Sequence, residues 1–68
     1  MKYSDELLDS HAKLIFDSYT CKNKMYTEDF LELHLEEYYS NNPIPIENRP
    51  TVWLNVSNLL EKHYEQSR

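Results

Sequence analysis

The sequence predicts an all-α fold: one compact three-helix domain with a proline-rich extended connection between helices 2 and 3. Three observations carry that reading. Apolar residues recur at spacings of three and four in three separate stretches. The 68 residues hold no glycine, the residue that two-residue hairpin turns want, and no apolar–polar alternation of the strand kind. All three prolines fall within residues 43–50, between the second and third periodic stretches.

The first helix is expected over residues 4–21. The Ser4 hydroxyl suits the N-cap, and Asp5 and Glu6 suit the positive helix end. Leu8, Ala12, Ile15, Phe16 and Tyr19 form the apolar stripe, with Leu7, His11 and Leu14 widening it. Asn23 is placed to end the helix in a left-handed conformation, with Lys22 and Lys24 near its negative end.

The second helix is expected over 27–41. Thr27 caps it, followed by Glu28 and Asp29. Its apolar face comprises Phe30, Leu31, His34, Leu35, Tyr38 and Tyr39, and the Asn41-Asn42-Pro43 run stops it, because a residue before proline avoids the α region.

Residues 41–50, NNPIPIENRP, read as an extended segment fixed by three prolines. Ile44 and Ile46 have little use in an exposed linker, so the segment should cross the bundle and bury at least one of them. The third helix is expected over 50–65: Pro50 suits a first helical turn, and Val52, Trp53, Val56, Leu59, Leu60, His63 and Tyr64 repeat at helical spacing. The first two helices should form an antiparallel pair, with the third returning to dock across them.

Size and charge bound the function. A chain this short is a single domain spanning 1–68. Such a chain buries only about 60% of its unfolded surface, so its stability is marginal. One cysteine, Cys21, excludes an intramolecular disulfide and fits a reducing compartment. The N-terminus turns acidic at once, unlike a signal peptide, and no apolar run approaches a membrane span, so the expected location is cytoplasmic with no membrane contact. Many Tyr and Asn residues, one Ala and no Gly suit an AT-rich coding sequence, as in a low-GC bacterium, its plasmid or its phage. The net charge of −5 opposes nucleic-acid binding, where phosphate neutralisation needs clustered Lys and Arg. It leaves a basic protein partner open.

Chemistry-bearing residues are sparse. His11, His34, His63 and Cys21 show none of the close ligand pairs of a zinc site, although His34 and Glu37 share a helix face. No glycine-rich phosphate loop or nucleophile elbow is present, and a domain this small has little room for a substrate pocket. The expectation is therefore no metal, no cofactor and no catalysis. A helix-turn-helix reading meets a first turn followed by the acidic ELHLEEYY segment and a second connection that is too long, leaving Arg49, Asn55, Asn58 and Lys62 on the third helix as a thin basic and polar set.

Two features remain. Asp29, Glu32 and Glu36 fall on one side of the second helix, an array that suits a solvated face, a docking rim for a basic protein, or a DNA mimic. Nine aromatics, six of them Tyr, exceed what so small a core can enclose. The function expected is a small acidic non-catalytic interaction module, a regulator or inhibitor docking on a larger protein. The alternatives are a helical DNA-binding transcriptional regulator and a DNA mimic acting on a nucleic-acid-binding protein. Tyr38, Tyr39, Trp53 and Leu54 are the candidate apolar anchors, with Glu32, Glu36 and Glu37 as an acidic rim. Pairing with a second copy is the further expectation, since a marginal core gains from covering its surplus apolar face.

Overall fold

Ser4 and Thr27 each accept a backbone hydrogen bond three residues on, from Leu7 N–H at 3.1 Å and Phe30 N–H at 3.2 Å. These two caps fix where the first two helices begin. In the computed structural model, which describes residues 3–66, α1 spans Asp5–Lys22, α2 spans Glu28–Asn41 and α3 spans Arg49–Gln66. A 3-10 turn over Ile46–Asn48 leads into α3. It replaces part of the extended backbone expected from the prolines: Pro45 is extended, but Asn48 N–H then bonds the Pro45 carbonyl at 2.9 Å and starts the coil one turn early. Pro50 falls in the first turn of α3, where its missing N–H costs nothing.

No described residue has a positive φ. The left-handed Asn23 expected at the end of α1 is therefore replaced by an extended one, φ −128° and ψ 138°. Its backbone N–H and its side-chain amide both donate to the Tyr19 carbonyl, at 3.0 and 3.1 Å, so the chain leaves the helix without a left-handed residue.

The core is one contiguous cluster: Leu8, Ala12, Ile15 and Tyr19 from α1, Leu31 and Leu35 from α2, Ile44 from the connection, and Val52, Val56 and Leu60 from α3. Each helix buries residues at the predicted spacings of three and four. Leu7 and Leu14, expected to widen the first stripe, and Phe30, expected on the apolar face of the second helix, are instead exposed. Of the two connection isoleucines, Ile44 is buried at 1% exposure while Ile46 is 77% exposed.

His11 meets Tyr38 and Tyr19 meets His34, so α2 runs antiparallel to α1. The Tyr64 hydroxyl donates to the Asn23 carbonyl at 2.6 Å, which puts the far ends of α3 and α1 together, and these two helices run in the same direction. The closest-packed pair is α1 with α3 rather than α1 with α2. Ala12, Val52, Val56 and Ser57 are all buried, and such small side chains let two backbones approach. The inner face of α2 carries Leu, His and Tyr, which hold it further off.

Candidate functional site

Glu32, Leu35, Glu36 and Tyr39 follow at spacings of three and four and so share one face of α2. Arg49, Pro50 and Trp53 occupy the first turns of α3, and Ile46 stands just before them. Together these side chains line a groove of about 400 Å³ between α2 and α3. Leu35 is buried at its base, and Tyr39 and Trp53 are half-buried, packed against the core. Ile46 projects at the rim.

The polar groups divide by wall. Glu32 and Glu36, one helical turn apart on α2, are exposed and make no ion pair among the described residues. They also border a second hollow of about 320 Å³ with Asp29 and Leu33, so the carboxylates form a ridge between two depressions. On the α3 side, Arg49 is engaged. Its Nε donates to the Ile44 carbonyl at 2.9 Å and its guanidinium lies over the Tyr39 ring, 4.5 Å from the centroid. Burial pushes the Tyr39 phenol above its ordinary range; the Arg49 charge opposes that shift and Tyr38 adds to it. The ring is therefore neutral at physiological pH. Its hydroxyl is buried and has no hydrogen-bond partner among the described residues.

Four of the seven residues singled out from the sequence, Tyr39, Trp53, Glu32 and Glu36, meet in this groove. Tyr38 and Glu37 do not. They border a hollow of about 130 Å³ on another side of α2, with Ser18, Lys22 and His34. Tyr38 is engaged there: its hydroxyl lies 2.6 Å from His11 Nδ1, and burial raises its pKa. The reason is angular, since adjacent helix positions point about 100° apart. Leu54 is 58% exposed on α3 and lies outside the groove walls. The sequence did not mark Leu35, Ile46 or Pro50 as site residues, and it marked Arg49 only for a DNA-reading set on the third helix. The signal available was Ile46, an apolar residue in a connection that needs only one buried isoleucine.

The remaining chemistry-bearing side chains are dispersed. His11 packs on Tyr38, His34 on Tyr19 and His63 on Phe16. Cys21 is exposed. Among the described residues no three His, Cys, Asp or Glu side chains converge on a point, and no helix is long and apolar enough to cross a membrane. Comparison with protein-family models, with curated proteins and with solved structures finds no match to this chain.

Proposed function

We propose that this chain is a non-catalytic protein-interaction module that docks on a larger protein, as a regulator or inhibitor, through the α2–α3 groove. One observation carries the reading: two half-buried aromatics, Tyr39 and Trp53, and two carboxylates without ion-pair partners among the described residues, Glu32 and Glu36, line a single groove with an apolar base. Half-buried Tyr and Trp beside polar groups are the usual composition of interface anchors. The groove's polar set is two carboxylates, one guanidinium held against Tyr39 and Ile44, and one phenol, which suits recognition better than proton relay.

The test is capture from nuclease-treated lysate of the native host, using the tagged chain as bait and mass spectrometry as readout. The expected result is one stoichiometric protein, retained by wild type and lost with Ile46→Ser and with Trp53→Ala. Ile46 is the cleaner variant because its exposure makes it dispensable for folding. A partner retained by both variants moves the site away from the groove. A partner captured only when the nuclease is omitted transfers the function to the DNA-binding alternative.

A further inference from the structure

Resting on the interaction reading of the groove, we propose that its occupant is a cationic amphipathic helix of a partner protein. The apolar base accepts one large aliphatic or aromatic side chain between Tyr39 and Trp53, and the Glu32–Glu36 ridge accepts Lys or Arg from the same segment.

Three features select this class. First, the unpaired charge on the groove is acidic. Glu32 and Glu36 face solvent without ion-pair partners among the described residues, and Asp29 extends the ridge on its far side, whereas Arg49, the cation of the groove lining, is tied to the Tyr39 ring and the Ile44 carbonyl. Second, Glu32 and Glu36 are one helical turn apart, about 6 Å, which is the spacing that i and i+4 side chains of a facing helix present. Third, the same charge disfavours the other occupants. Two copies joined by this face across a two-fold axis would bring both Glu32–Glu36 ridges into one interface, with a net charge of −5 on each chain. A nucleic acid would bring phosphates onto the same ridge. For a cationic helix, the ridge steers approach and fixes register while the apolar base supplies the contact area.

The chain has a single tryptophan, and it lines the groove, so Trp53 emission reports occupancy directly. The probes are three synthetic amphipathic helical peptides with the same leucine face and a polar face of Lys, Gln or Glu. The Lys peptide is expected to shift Trp53 emission saturably and to bind about tenfold more tightly than the Gln peptide at low salt, with that advantage shrinking as salt rises. The double variant Glu32→Gln/Glu36→Gln should abolish the advantage. The control Asp9→Asn/Asp17→Asn, with the same charge change on α1, should keep it. Equal groove binding by the Lys and Gln peptides overturns the cationic assignment and leaves the groove standing as an interaction site. No emission change with any peptide, in a chain shown by circular dichroism to be folded, overturns the groove reading itself. A dimer in sedimentation that Ile46→Ser dissolves makes a second copy the occupant and overturns the proposal.

Discussion

The Arg49 guanidinium stands over the face of Tyr39, 4.5 Å from the ring centroid, while its Nε holds the Ile44 carbonyl at 2.9 Å. One side chain thus fastens the connection to α3 and braces a groove aromatic from α2. Lysine cannot reproduce both contacts, because it lacks the planar fork. Arg49→Lys is expected to lower stability by about 1 kcal/mol in urea denaturation. Tyr39→Phe keeps the ring under the guanidinium and removes a buried hydroxyl with no hydrogen-bond partner among the described residues, so it should leave stability unchanged or raise it. A Lys variant as stable as wild type would show that the contact contributes nothing.

Tyr19 is the wholly buried tyrosine. Its hydroxyl donates to the Met25 carbonyl at 2.9 Å and accepts from Thr27 N–H at 3.4 Å, which pins the α1–α2 turn to the core. Tyr19→Phe should cost about 1–2 kcal/mol. Hydrogen exchange should quicken at the Thr27 amide more than at the α3 amides. Uniform quickening across the chain would assign the hydroxyl a global rather than a local role.

The pH profile has two limbs. Burial pushes His34 below the usual 6.5, Lys22 adds to the push, and Glu37 opposes it. Between the unfolded and folded values the unfolded state binds more protons, so stability present above pH 6.5 is lost as pH falls through it. Burial pushes Tyr19, Tyr38, Tyr39 and Tyr64 the other way, above the usual 10.0. Unfolded phenols ionise first, so stability is lost again as pH rises beyond 10.0. Urea midpoints across pH should form a plateau between these limbs. His34→Gln should flatten the acid limb through pH 6.5, and an unchanged slope there would assign that limb to other groups.

The two connection isoleucines separate folding from binding. Ile44→Ala empties a position that is 1% exposed and should cost about 2–5 kcal/mol. That is a large part of the roughly 3–10 kcal/mol available to a domain this size. Ile46→Ser, at a position 77% exposed, should leave the thermal midpoint nearly unchanged while weakening groove binding. Equal losses of stability in the two variants would refute the division of roles.

The helices were legible because periodicity and caps agreed: Ser4 and Thr27 serve as the N-caps the sequence predicts, and each helix buries residues from its predicted stripe. Tyr39 and Trp53 were legible as half-buried aromatics. The choice between Tyr38 and Tyr39 was not, since each is half-buried and the neighbour that decides the matter, His11, lies 27 residues away from Tyr38 in sequence. Nor was the Arg49 clamp legible, because it depends on where the 3-10 turn sets the Ile44 carbonyl. The closeness of α3 to α1 was not legible for a similar reason: the short turn predicts the antiparallel α1–α2 pair that forms, but small side chains at Ala12, Val52 and Val56 decide how near two helices can come.

That pairing has a consequence for biosynthesis. The helix that packs most closely on α1 is made last of the three, so α1 and α2 leave the ribosome with Leu8, Ile15 and Leu31 still short of their final cover. A long-range closure of this kind has to wait for the late segment. A premature stop before Arg49 would therefore yield not a smaller domain but a helix pair with its greasy side left bare.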